Sequence, residues 1–379
     1  GKSKNASLRY RYDHSQDLSI GWITTARSGD DYQNTVNGID SKYRVGKSDV
    51  IKGQVIHSTS EYPLDLSANL KNDDDCSENS PFKNCQFNES ANRTLGDKTY
   101  SGTAAKIAWW HNDRDWEYNA RYQKTSDGFR ADLGFMGRTD SDKLVFGGAR
   151  KWYGESNQWW NLIKLSGDWD IAHNNDGELL EKEIEAWFTI EGARQSKLRT
   201  GIINRDRVGL RYDRSSLAIK DNTTLFSTTE YRAFFEIKPF SNLYYNTQFV
   251  YGEEIDFSND RLADVKQIRP HITWNINDQS EVVLRHTFKR LDTGGENIFI
   301  ARLSDFKFTY QFDINSFIRL NLILNNTDRN PNNYLYTDVD KNYSALSTQL
   351  LYAYKINPQT VFYAGYSDHS YSDIDLSEL

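Results

Sequence analysis

Segments of about ten residues that alternate apolar with polar positions recur from one end of the chain to the other. The stretch Phe317-Ile318-Arg319-Leu320-Asn321-Leu322-Ile323-Leu324-Asn325 is typical. Successive side chains on a strand point to opposite faces. Ile318, Leu320, Leu322 and Leu324 therefore share one face, and Arg319, Asn321 and Asn325 the other. About eighteen such strands are expected between residues 5 and 370, with no helical segment among them. Their connections alternate in length. Short ones fall at Asp13 to Asp17, Val45 to Asp49, His111 to Asp115, Lys238 to Asn242, Asn275 to Gln279, Asp313 to Ser316 and Asn357 to Gln359. Long ones fall at 61–97, 125–141, 212–226, 255–262, 292–299 and 328–343.

A long series of two-faced strands with short turns at one end and long loops at the other predicts an all-β, antiparallel transmembrane β-barrel of about 18 or more strands. The short turns would be periplasmic and the long loops extracellular. By this count the first strand starts, and the last ends, on the outer side. A barrel that keeps both termini in the periplasm is then expected to carry at least one more strand at each end; the alternative is one miscounted strand near each end. Residues 1–379 read as one barrel, with 61–97 a long extracellular loop and 125–141 a loop or a lumen plug.

The apolar face would carry Val282, Leu284 and Phe288, then Phe306, Phe308, Tyr310 and Phe312, with Tyr231, Ala233, Phe235 and Ile237, and Ile268, Ile272, Trp274 and Ile276. The opposite face would line a wet lumen with Lys106, Lys164, Asp168, Asp170, Glu183, Glu185, Arg232, Glu236, Arg269, His271, Arg285, Lys289, Lys307, Arg319 and Lys355. Lys or Arg toward lipid would cost about 2–4 kcal/mol each at mid-membrane, which decides which face is which. Both signs of charge occur on the inner face, as salt bridges across a lumen require.

Composition adjusts this picture in three places. Mean hydropathy is -0.76, which argues against helical spans but not against strands that hide every second residue. Aromatic residues make up 14%, enough to supply girdles at both membrane interfaces. The net charge of -7 argues against a nucleic-acid partner, which needs a concentrated basic surface. Much of the excess acid lies in loops, at Asp73-Asp74-Asp75 and from Asp368 to Glu378. It reads as a solvated surface, with divalent-cation binding in the loops as the sharper alternative. The only cysteines, Cys76 and Cys85, sit in one polar loop. A disulfide is expected there in an oxidising space, and no His lies near enough to suggest a metal site.

Catalytic motifs are absent: there is no Gly-rich phosphate loop, no HExxH and no GxSxG. Glu183 and Glu185 share a face and could do acid–base work, or pair with Lys or Arg across a strand. His271 and His286 lie on neighbouring strands but on opposite faces by parity. No enzymatic role, cofactor or metal is expected. The least strand-like stretch runs from Gly128 to Asp140. It could fold into the lumen as a plug built from Phe129, Arg130, Asp132, Phe135, Arg138 and Asp140, with Arg130 or Arg138 on inward carboxylates. It could equally be a structured outer loop.

Phe129 to Asp140, FRADLGFMGRTD, resembles the hallmark segment of a Gram-negative outer-membrane family. That family carries a barrel region of unassigned function (DUF5916) behind a periplasmic domain similar to family 9 carbohydrate-binding modules. Phe234 to Pro239, Gly252 to Phe257, Leu303 to Phe306, Thr309 to Phe312, Asn357 to Phe362 and Gly365 to Asp368 resemble it too. The resemblance implies the bacterial outer membrane, with its lipid and lipopolysaccharide as surroundings, but carries no settled activity. The carbohydrate-binding-like domain and the family's first and closing strands have no counterpart in these residues. Two functions are expected from the whole. One is a pore or uptake channel for polar solutes, oligosaccharides included. The other is a non-conducting barrel that anchors a periplasmic or cell-surface protein partner.

Overall fold

The computed structural model describes residues 2–62, 99–134, 136, 138–209, 225–259, 261–334, 339–357 and 359–372. Cys76, Cys85 and Phe135 lie outside the described residues, so the expected disulfide and one expected plug residue do too.

The described residues form eighteen strands and two single turns of 3-10 helix. The strands are β1 (Lys4–Asp13), β2 (Leu18–Gly29), β3 (Tyr32–Val45), β4 (Asp49–Glu61), β5 (Thr99–Asn112), β6 (Trp116–Thr125), β7 (Ser141–Tyr153), β8 (Trp160–His173) and β9 (Leu179–Gly192). They continue with β10 (Lys197–Val208), β11 (Leu225–Phe240), β12 (Leu243–Asp256), β13 (Arg261–Asn277), β14 (Ser280–Thr293), β15 (Glu296–Gln311), β16 (Ser316–Arg329), β17 (Asn342–Asn357) and β18 (Thr360–Ser372). All belong to one sheet, and each strand from β1 to β17 pairs with the next in sequence. The pairing is antiparallel wherever its register is described. Among the described residues no helix is long and apolar enough to cross a membrane.

Five of the short turns share one device. A side-chain oxygen at the turn's start accepts N–H groups two or three residues on. Ser15 does this for Asp17 and Leu18, Asp113 for Asp115 and Trp116, and Asn277 for Gln279. Asp313 does it for Asn315 and Ser316, and Asn357 for Gln359. This Asx or Ser bond mimics a backbone turn and is why these residue types punctuate the strands. The N–H groups of Trp116 and Asp115 hold the Asp113 carboxyl below the usual carboxylate range. Those of Asn315 and Ser316 do the same at Asp313.

One long connection expected from the sequence is corrected. Residues 292–299 are almost entirely strand, closed by Gly294 and Gly295 at φ 57 and 86. Two consecutive left-handed positions make the tight hairpin turn that Gly-Gly is suited to.

The strands fall into two compact units. One comprises residues 1–151, 166–185 and 204–227, and the other residues 152–165, 186–203 and 228–379. In the second, Ile272 lies opposite Leu284, Leu284 opposite Phe306, and Phe306 opposite Leu322. One residue along, His271 lies opposite Arg285 and Arg285 opposite Asp305. The apolar face is open: Leu284 is 43% exposed and Trp274 45%. A continuous apolar face left open to this extent is a surface for hydrocarbon rather than water.

Candidate functional site: an inward-folded segment on the polar face

In the first unit the polar face is set by register. Asp40 lies opposite Gln54, Gln54 opposite Lys106, Lys106 opposite Gln123, and Gln123 opposite Lys143. Toward the long-loop end the same alternation brings Asn34, Ser58 and Ser60 onto this face. The described residues of 126–140, all but 135 and 137, fold over it there.

Asn34 acts as a strand edge for the segment. Its Nδ2 donates to the Arg130 carbonyl at 3.1 Å, and its Oδ1 accepts the Asp132 N–H at 3.2 Å. The same Nδ2 is braced by Ser60 Oγ at 2.9 Å, and the Arg130 N–H donates to Ser58 Oγ at 2.9 Å. The hydroxyls of Tyr32 and Tyr62 both donate to Asp132 Oδ2. Glycine makes the approach possible. A Cβ on Gly102 would sit 2.1 Å from the Phe129 nitrogen, and one on Gly128 would sit 2.3 Å from the Ser101 carbonyl oxygen. At the far end, Asp140 Oδ1 accepts from Asn175 Nδ2 at 2.7 Å and from its backbone N–H at 3.2 Å. Phe129, Arg130, Thr139 and Asp140 are all buried, Arg130 to 1% exposure.

Of the expected plug residues, Phe129, Arg130, Asp132 and Asp140 are thus built into this clamp. Arg130 Nη1 donates to the carbonyls of Asp127 and Phe129. Arg138 is half-buried and acts electrostatically on Glu181.

Beside the segment lies a lane of charge. Lys143 Nζ bonds Asp170 at 2.9 Å and Glu181 at 3.1 Å, and Arg207 reaches Glu181 at 3.4 Å. Arg205 pairs with the buried Glu183. Asp168, Glu183 and Glu185 bring carboxylate oxygens within 4.8 Å of one another. A Cβ on Gly147 would meet the Asp168 Cβ at 3.0 Å, so Asp168 shares the face of the Lys143 row. Lys164 alternates in step with Asp168 and Asp170 along β8.

In the second unit the remaining expected lumen residues also share one face. Arg232, Glu236, Arg269, His271, Arg285 and Lys289 follow from the registers of β11 to β14, and Lys307, Arg319 and Lys355 from those of β15 to β18. Arg285 pairs with Asp305 at 3.0 Å, Lys289 with Glu254 at 2.6 Å, and Lys307 with Glu281 at 3.0 Å. They form separate pairs rather than one cluster. Near the long-loop end this face turns apolar. Val250, Ala263, Val265, Leu291 and Ile298 are buried together, with Phe299 and Tyr334 packed on them. Burial raises the Tyr334 hydroxyl above its ordinary pKa. Asn330 and Asn333 tie this loop down by donating to the Ile298 and Asn297 carbonyls.

The clamp residues Asn34, Ser58, Ser60 and Tyr62 escaped the sequence reading. Their signal was faint: small polar residues at alternate positions, near Gly102 and Gly128. The Tyr334 cluster had a clearer one, apolar residues occurring on the polar parity of several strands at one end.

No family model matches the chain, and no curated protein sequence does. Solved structures do match. A ferric enterobactin receptor variant from Pseudomonas aeruginosa, in complex with enterobactin, aligns with a TM-score of 0.50 at 8% identity. The alignment covers 97% of this chain and 70% of that one. The siderophore receptor PirA from Acinetobacter baumannii aligns at 0.48 and 8%, over 96% and 73%. OmpT, an outer membrane protein of Vibrio cholerae in its trimer form, aligns at 0.38 and 10%, over 98% and 97%. At such identity the likeness speaks to fold alone. The chain has the all-β, antiparallel fold of outer-membrane β-barrels.

Proposed function

We propose that this protein is an outer-membrane pore or uptake channel for polar solutes, with residues 126–140 as a fixed constriction. The observation that carries the reading is the Asn34 clamp. A segment bonded through its backbone to a polar strand face narrows any lumen that face lines. The charged lane of Lys143, Asp168, Asp170, Glu181 and Glu183 beside it supports a role in selecting polar solutes. Oligosaccharides belong to this class of solute. The resemblance to DUF5916 barrels is part of the same proposal, in which the channel belongs to a Gram-negative envelope.

The test is single-channel conductance of the full-length, detergent-purified protein in a planar bilayer, with and without residues 128–140. Steps from the intact protein that grow on deletion support the constriction. Silence from the intact protein and steps from the deletion make the segment a plug. Silence from both refutes the channel and favours the anchoring role.

A further inference from the structure

Among the leucines and phenylalanines in the middle of the second unit's apolar face stands a polar pair. His286 has Ser304 opposite on β15, and His286 Nδ1 meets Ser304 Oγ at 2.9 Å. The pair lines a dent of about 490 Å3 whose other walls include Leu284, Phe306, Leu322, Leu324 and Leu346. Pro270 forms part of the rim. It sits in the middle of β13, and the ladder to β14 is broken there: rungs are present at Ile268–Phe288 and His271–Arg285 but not between them. Proline inside a central strand removes a ladder donor and is rare there. In hydrocarbon, where backbone groups find no water, such a break is costlier still.

These features point to an occupant. The outward apolar face of an outer-membrane barrel meets hydrocarbon, so the dent takes a chain rather than a solute. The Ser304 bond leaves Nε2 as the polar atom that the His286 ring offers. Whether Nε2 is a donor or an acceptor depends on the tautomer. A hydroxyl serves either case, because it both donates and accepts. We propose that this dent binds the acyl chain of a bilayer lipid that carries a hydroxyl, with that hydroxyl on His286.

The test uses the full-length protein in nanodiscs of palmitoyl-oleoyl phosphatidylcholine. The discs are doped with phosphatidylcholine bearing a diazirine on one acyl chain, with or without a hydroxyl on that chain. Labelled peptides are mapped by mass spectrometry. The expected result is label concentrated on β14 to β17. The hydroxylated probe should label about fivefold more, the ratio expected of one net hydrogen bond. His286→Leu should equalise the two probes, and Leu324→Trp should fill the dent and remove the preference for these strands. Label spread evenly over the apolar face, or equal labelling by the two probes, would overturn the proposal. If either variant fails to fold, the two-probe comparison on the unaltered protein decides alone.

Discussion

Replacing Asn34 with Ala should release residues 128–134 from the polar face. The side chain is 1% exposed and makes two bonds to the segment, to the Arg130 carbonyl and from the Asp132 N–H. A neutral hydrogen bond contributes about 1 kcal/mol net, and a buried group left without a partner costs about 1–3 kcal/mol. Losing both bonds should weaken the closed state by about 2–4 kcal/mol, which raises the open population roughly 30- to 700-fold. Amide hydrogen exchange reads this directly. The Asp132 N–H loses its acceptor. The Arg130 N–H keeps Ser58 Oγ, so it speeds up only if the segment lifts as a unit. Thr35→Ala, next on the strand and on the opposite face, is the control. Faster exchange at Asp132 with no change at Arg130 would show that the segment is not held as one body, and the reasoning would fail. No change at either amide would mean that the Tyr32 and Tyr62 bonds to Asp132 carry the clamp alone.

Three further outcomes follow from the same geometry. Gly102→Val should displace the segment by sterics rather than lost bonds, because its Cβ would sit 2.1 Å from the Phe129 nitrogen; channel steps should widen as in the deletion, and unchanged steps would refute the constriction. Glu183→Ala should leave the half-buried Arg205 without this carboxylate and cost about 2–3 kcal/mol, below the full range for a buried pair because Arg205 is 28% exposed; urea unfolding in lipid vesicles measures it, and no loss of stability would show that the pair is dispensable. The lowered pKa of Asp313 means that its turn is stabilised above the ordinary carboxylate range and loses that stabilisation as pH falls through the depressed folded value. Exchange at Asn315 and Ser316 should therefore rise only in strong acid, and Asp313→Asn should remove the pH dependence while keeping the acceptor.

The strands and their two faces were legible in the residues because a period of two is a local property. Each of Arg232, Arg269, Lys307 and Arg319 alternates with apolar neighbours that cannot share its environment, so parity alone sorts them. Short turns were legible for the same reason, since Ser15, Asp113, Asn277, Asp313 and Asn357 bond within two or three residues of themselves. The Gly294-Gly295 hairpin was misread as a long loop because polar residues on both sides hid the strand ends. What only the tertiary structure decided is where 126–140 goes. Its partners Asn34, Ser58 and Tyr62 are about 70 to 100 residues away in the chain. Contacts between residues that far apart leave no periodicity to read. The same holds for Tyr334 packed on the cluster of Val250 and Leu291. A strand's faces are set by its own alternation, whereas what covers a face is set by whichever distant segment the pairing register brings to it.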